Sequence, residues 1–325
     1  MTTRLYTALL FLLVLTACKN EKKVEKTSDE SVVVTSNDPF FKISLAQWSL
    51  HKAFFSGELN PMDFAKKASE MNFEGIEYVS QLYNPILKEY ESSEIGLDSI
   101  LPKLKASSVQ YGVENVLIMV DGEGNLAAED EKERNDAVEN HKKWVDAAAY
   151  LGCHAIRVNL NGAADKEVFK QSSIDGLGKL ADYGASKNIE VIVENHGGYS
   201  SDAAFVMEII NAIDKPNCGT LPDFGNFCIE RENSEMWGAE CVKEYPRYKG
   251  IEELLPKAFA VSAKAYAFND AGEETIMDYS KILQMVKDAG YTGFIGIEYE
   301  GDGLTEEEGI NQTRELLIKS AQNLN

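Results

Sequence analysis

The sequence predicts an α/β fold, a single (β/α)8 barrel (TIM barrel), and three observations carry that expectation. From Pro39 onward, short apolar runs alternate with longer segments of helical period, and the strand-like runs begin near Ile43, Glu74, Asn115, Ala155, Glu190, Gly219, Phe259 and Phe294. They recur at roughly 30 to 40 residues, the size of a βα unit. No Gly/Ser-rich linker divides the series, which favours one closed barrel over two domains. A doubly wound open sheet would want a glycine-rich phosphate loop after its first strand, and Leu45-Ala46-Gln47-Trp48-Ser49-Leu50 has no glycine.

Taken in chain order, residues 1–17 stand apart from the barrel. Arg4 gives a short positive start, Leu9 to Leu15 an apolar stretch, and Leu15-Thr16-Ala17-Cys18 closes it. This is the pattern of a secretory signal, too short to span a membrane as a mature helix. The last four residues resemble the lipobox of bacterial lipoproteins. That resemblance implies cleavage before Cys18, acylation of its sulfur, and an exported, membrane-anchored protein that is periplasmic or at the cell surface. Residues 18–38 follow as a polar, aperiodic stretch around Val32-Val33-Val34 and read as a flexible tether. The barrel domain is then 39–325.

The clearest helix signals lie between the strand runs. Pro61 to Met71 begins with Asn60 as cap and proline in its first turn. Glu131 to Leu151 and Leu304 to Leu324 are the longest, with apolar residues every three or four positions.

Composition narrows the function. The chain is 44% hydrophobic and 26% charged, as soluble globular proteins are. A net charge of −21, or −22 once Arg4 is removed with the leader, repels nucleic acid and offers no basic face to anionic lipid. Of the cysteines beyond Cys18, Cys228 and Cys241 lie in one loop and are the candidates for a bridge in an oxidising compartment. Cys153 and Cys218 sit beside apolar strands and read as buried thiols. No pair has a zinc-type Cys-x-x-Cys spacing.

In a barrel of this kind the chemistry collects where strands end at the C-terminal face. The polar residues there are Gln47, Ser49 and His51 from the first strand and Glu77 from the second. Arg157, Asn159 and Asn161 come from the fourth, Glu194 and His196 from the fifth, Asp223 from the sixth, Ser262 and Lys264 from the seventh, Glu298 and Glu300 from the eighth. Charges inside a barrel are costly unless paired, metal-bound or solvated at its mouth. Each has a structural alternative: Arg157 as neutraliser of carboxylates, Glu77 and Glu300 as rim salt-bridge partners, Trp48 as core. His141 and His154 fall at or near the opposite end and read as structural.

Four ordered motifs carry a resemblance over about residues 41–324. They are Val193-Glu194-Asn195-His196-Gly197-Gly198, Leu221-Pro222-Asp223-Phe224-Gly225-Asn226-Phe227, Ala260-Val261-Ser262-Ala263-Lys264-Ala265-Tyr266, and Gly293-Phe294-Ile295-Gly296-Ile297-Glu298-Tyr299-Glu300-Gly301. Together they look like strands five to eight of the xylose-isomerase-like TIM-barrel superfamily of sugar isomerases and epimerases. The resemblance implies a divalent metal held by Glu194, Asp223 and Glu298. At the seventh strand, where the superfamily has His or Gln, this chain has Ser262, with Lys264 following on the same face. Two readings result. Either the three carboxylates hold Mn²⁺ or Mg²⁺ with Ser262 or His196 as fourth ligand, or the Lys264 ammonium neutralises them without an ion.

The chemistry implied is metal-assisted proton transfer beside a carbonyl. Glu298 and Glu194 would act as base and acid, and Lys264 as a cation stabilising oxyanion charge. Gln47, Trp48, Arg157, Asn159 and His196 would hold the substrate, an unphosphorylated sugar or keto-sugar given the compartment. Isomerisation, epimerisation and loss of a β-substituent by a lyase or hydratase acting on 3-keto glycosides all remain open, as does a non-catalytic carbohydrate-binding lipoprotein. A DNA-processing site of the superfamily's histidine-rich zinc type is disfavoured by only four histidines and the acidic charge.

Overall fold

The computed structural model describes residues 39–234 and 238–324; the leader, Cys18 and the tether lie outside the described residues. Eight parallel strands form the barrel: β1 (Lys42–Ala46), β2 (Gly75–Val79), β3 (Glu114–Val120), β4 (Ala155–Val158), β5 (Glu190–Glu194), β6 (Cys218–Leu221), β9 (Val261–Ala265) and β10 (Phe294–Tyr299). Between β6 and β9 lies an antiparallel hairpin, β7 (Cys228–Arg231) and β8 (Cys241–Glu244).

The continuous sheet runs β6-β5-β4-β3-β2-β1-β10-β9. It closes between the β6 and β9 sides through isolated bridges rather than a continuous ladder. Phe259 N donates to Thr220 O (3.1 Å), Ser262 N to Pro222 O (3.0 Å) and Phe224 N to Ser262 O (3.0 Å), with Thr220 bridging Ala258 and Asp223 bridging Ser262. Asp223, two residues past β6, is thereby fixed beside Ser262.

Strands covered on both faces read as near-continuous apolar runs. Val116 to Val120, Val191 to Val193, Ile295 and Ile297 are all buried. Among the described residues ten helices surround the barrel: α1 (His51–Ser56), α2 (Phe64–Glu70), α3 (Asn84–Leu87), α4 (Ser93–Tyr111), α5 (Glu131–Leu151), α6 (Lys166–Lys187), α7 (Ala203–Ile213), α8 (Arg247–Leu254), α9 (Tyr279–Asp288) and α10 (Glu306–Gln322). Their ends follow the local chemistry. Asp130 caps α5 by accepting from Glu133 N, and Gly152 ends it in the left-handed conformation. Thr305 and Glu308 form a reciprocal capping box on α10. The segment opening at Asn60 starts as a 3-10 turn, Pro61–Asp63, before α2, with the Asn60 side chain accepting from Met62 N (2.9 Å).

The region expected as a plain loop around Cys228 and Cys241 is the β7–β8 hairpin, closed by a disulfide between those two cysteines. Cys153 and Cys218 are buried free thiols, and burial pushes the Cys218 thiol up to about 12, so it stays protonated. Among the described residues no helix is long and apolar enough to cross a membrane.

Candidate active site

Period two in the strands sends alternate side chains into the barrel, and the last inward residues reach its mouth. Glu194 ends β5, Lys264 and Glu298 face each other in register on β9 and β10, and Arg157 lies on β4. Asp223 is delivered by the turn after β6. Its Oδ1 accepts from Gly225 N and Asn226 N (both 2.8 Å), and Asn195 clamps the same turn, accepting from Asp223 N (2.8 Å) and donating to the Asp223 and Asn226 carbonyls (3.0 Å each). A side chain on Gly225 would meet Lys264 Cγ at 2.7 Å, so glycine lets this turn close over the lysine.

Glu194, Asp223 and Glu298 are all buried, and each places an oxygen within 4.8 Å of the others'. Ser262 Oγ links two of them, donating to Asp223 Oδ2 (2.7 Å) and lying 3.1 Å from Glu298 Oε2. Lys264 Nζ sits 2.8 Å from Glu298 Oε1, 3.3 Å from Glu300 Oε1 and 4.0 Å from Asp223 Oδ2. On the other side, Arg157 Nη1 donates to Asp121 Oδ1 (2.9 Å), which also accepts from Asn159 Nδ2 (2.6 Å). Arg157 Nε lies 2.8 Å from Glu194 Oε2. The two are close enough to pair as charges, yet the N–H is misaligned and neither atom has a true hydrogen-bond partner.

Five carboxylates, Asp121, Glu194, Asp223, Glu298 and Glu300, thus face two cations, Arg157 and Lys264. Burial raises the Glu194, Asp223 and Glu298 carboxyls above their ordinary range, against the pull of Arg157 on Glu194 and of Lys264 on the other two. Burial would lower Lys264, but Glu298, Glu300 and Asp223 outweigh it and hold the ammonium charged. Asp121 goes the other way, kept below its ordinary value by Arg157 despite burial. His196 is pushed down to about 3 by burial and by the charges of Arg157 and Lys264, leaving a neutral imidazole.

A cavity of about 370 Å³ opens over these groups, lined by Trp48, Asp121, Arg157, Asn159, His196, Asn226, Lys264, Glu298 and Glu300 with Val79 and Gln81. The structure therefore brings together Trp48, Arg157, Asn159, His196, Lys264 and Glu298 around one space, with Glu194 and Asp223 buried beside it. Gln47 is a correction. It is buried with its amide engaged at both ends, accepting from Val79 N (2.9 Å) and donating to Tyr83 Oη (3.2 Å), and it ties β1 to the end of β2 rather than lining the cavity itself. His196 lines the cavity, and its ring is not among the groups that converge at Glu194, Asp223 and Glu298, whereas Ser262 Oγ touches two of those carboxylates.

Glu77, read as a rim residue, lies deeper. Ser44 Oγ donates to its Oε1 (2.6 Å), its Oε2 has no partner, and a side chain on Gly296 would strike it at 2.4 Å. Burial raises it to about 7. His141 Nδ1 lies 2.7 Å from Ala137 O within α5, and His154 Nε2 3.1 Å from Phe259 O before β9, both away from the mouth. Sequence reasoning missed Asp121, Asn226 and the clamp Asn195. The charge directly after Val120 was the available signal for Asp121.

The donor set fits a hard divalent cation. It offers three converging carboxylates whose charge the lysine and arginine do not cancel, and one oxygen, Glu194 Oε2, without an aligned donor.

Comparison with known proteins agrees with this architecture. The family described as "Xylose isomerase-like TIM barrel" matches residues 65–320. No curated protein matches the chain by sequence. Among solved structures, 3-keto-D-glucoside 4-epimerase from E. coli is 16% identical with a TM-score of 0.63, covering 85% of this chain and 98% of that one. D-psicose 3-epimerase, solved in the presence of D-fructose, is 15% identical with a TM-score of 0.59, covering 86% and 96%. An IOLI protein with a bound zinc atom is 15% identical with a TM-score of 0.62, covering 88% and 99%.

Proposed function

The chain belongs to the family of xylose isomerase-like TIM barrels, and from that premise we propose that it is an enzyme transferring a proton at carbon beside the carbonyl of an unphosphorylated sugar or keto-sugar. The observation that carries the reading is the convergence of Glu194, Asp223 and Glu298 under a cavity walled by hydrogen-bonding side chains. Those three carboxylates would hold a divalent cation, Mn²⁺ or Mg²⁺ by their hardness. Such an ion supplies polarisation of a carbonyl and its neighbouring hydroxyl.

The chain's own residues supply the rest. Glu298 and Glu194 are the base and acid, two buried carboxyl groups near the ends of their barrel strands beside the cavity. Lys264, 2.8 Å from Glu298, keeps a fixed positive charge beside the reacting oxygens. Asn159, Asn226 and neutral His196 offer donors and acceptors to hydroxyls.

Substrate charge follows from the ion pairs. Among the described residues Arg157 and Lys264 are the cations lining the cavity, and both already face carboxylates. A phosphate would add negative charge to an acidic site whose two cationic side chains are already paired. The Cys228–Cys241 disulfide supports an oxidising compartment, in keeping with the leader and Cys18 anchor read from the sequence. The solved 3-keto-glucoside epimerase of this fold makes oxidised glycosides the first substrates to try, and a β-substituent leaving from such a substrate would make the reaction a lyase's.

The test is deuterium exchange at the α-carbon of a panel of sugars and 3-keto glycosides in D₂O, with and without chelator. The expected result is chelator-sensitive exchange on at least one neutral substrate. Absence of exchange on all, with ligand binding retained, would favour a carbohydrate-binding protein instead.

A further inference from the structure

We propose that Glu300 is a positioning residue: it holds the Lys264 ammonium toward the cavity, so that the lysine keeps its charge while Glu194, Asp223 and Glu298 take up a divalent cation. This rests on the cation site proposed above. The starting point is a conflict of charges. Lys264 Nζ lies 2.8 Å from Glu298 Oε1 and 4.0 Å from Asp223 Oδ2, and both carboxylates belong to the converging group. An ammonium and a divalent ion on the same carboxylates repel each other, and strongly where water is excluded.

The lysine is not free to resolve the conflict by leaving. It is 1% exposed, its stem runs under the Gly225 turn, and its carbonyl accepts from Tyr279 Oη (2.7 Å), so only the tip can pivot. The carboxylates are also tied, because Ser262 Oγ donates to Asp223 Oδ2 (2.7 Å) and lies 3.1 Å from Glu298 Oε2. Glu300 offers the way out. Period two puts it on the same face as Glu298, one residue past β10, where its N–H donates to Ala265 O (2.9 Å) and extends the pairing with β9. Its Oε1 lies 3.3 Å from Lys264 Nζ, yet it stands outside the converging group. Its side chain is 26% exposed and lines the cavity together with Lys264. An ammonium carries three donors, so a small pivot of the tip exchanges Glu298 for Glu300 and frees Glu298 Oε1. The same pivot turns the positive tip toward the space where a substrate oxygen would develop charge.

The test is calorimetric titration of the chelator-stripped full chain with Mn²⁺ at fixed pH and ionic strength, in a double-mutant cycle over Glu300→Gln and Lys264→Met. Glu300→Gln should weaken Mn²⁺ binding by roughly tenfold, because the lysine is left with only ligand carboxylates to pair with, and in the Lys264→Met background the same change should cost less than about threefold. Equal losses in both backgrounds would mean that Glu300 acts through its charge alone, and no loss in either would make it a rim residue; each result overturns the proposal. If Lys264→Met does not fold, Glu300→Asp takes its place, since it keeps the charge but shortens the reach to Nζ. Affinity between those of wild type and Glu300→Gln is then expected, and wild-type affinity would overturn the proposal. A wild-type chain that binds no Mn²⁺ removes the cation site and this proposal with it, a result distinct from wild-type binding that Glu300→Gln leaves unchanged.

Discussion

The two sides of the barrel mouth bury their charges differently. On the β3–β5 side Arg157 faces Asp121 and Glu194, Asn159 adds a hydrogen bond to Asp121, and Asp121 is held ionised below its usual range. On the β6–β10 side one lysine serves Asp223, Glu298 and Glu300, and Asp223 and Glu298 are raised. The first side is close to balanced and reads as a wall that positions substrate. The second keeps surplus negative charge and proton affinity, which is where a cation and a mobile proton belong. Glu194 joins the two, paired with Arg157 but grouped with Asp223 and Glu298.

The sharpest way to break this contrast is to remove the base. Glu298→Gln should lower α-proton exchange by about 10³-fold, within the usual range for a general base, whereas Asp121→Asn on the balanced side should mainly raise KM. Exchange surviving in Glu298→Gln would remove the base assignment.

Removing each cation tests the imbalance itself. Lys264→Met leaves three carboxylates around an apolar tip and should destabilise the fold by about 3–5 kcal/mol in urea unfolding, the range for breaking a buried ion pair. Arg157→Met should cost less, because Asp121 keeps its Asn159 bond and partial contact with water. Equal costs would mean the two sides are electrostatically alike.

A smaller effect comes from beneath the mouth, where Glu77 meets burial with a proton rather than a cation. Its folded value near 7 lies above the ordinary 4.5, so the folded state binds the extra proton. The stability this gives is full below about pH 4.5 and is lost as pH rises through 7. Glu77→Gln should flatten unfolding free energy between about pH 4.5 and 7, by an amount of order 3 kcal/mol. The smallest effect concerns His196. With its imidazole pushed down to about 3, His196→Gln should change substrate affinity without moving any limb of the pH–rate profile near 6.5.

Much of this was legible in the sequence because a barrel repeats its logic. Strand runs near Ile43 through Phe294 and the helix from Glu131 to Leu151 sit where period and caps put them. Glu194, Asp223 and Glu298 could be found because a charged residue ending an apolar strand needs a partner charge, an ion or the water of the mouth. Gln47 misled for the opposite reason. An amide at a strand end can face the cavity or cap a neighbouring strand's backbone, and its hydrogen-bonding atoms serve either. Asn195 was hidden by period two, which points it away from Glu194 and His196, toward the Asp223 turn that no local pattern reveals. The β7–β8 hairpin was hidden by length, since its strands of four residues are exposed or half-exposed and carry no apolar alternation.

The central claim is that the surplus charge at Glu194, Asp223 and Glu298 is there to hold a divalent cation. Metal analysis of the purified full chain, alongside Asp223→Asn, tests it directly. The expected result is about one equivalent of a divalent ion in the wild type, bound more tightly as pH rises and the raised carboxyls ionise, and little in the variant. A wild-type chain that holds no divalent ion at pH 8, or a variant that holds as much as the wild type, would contradict it.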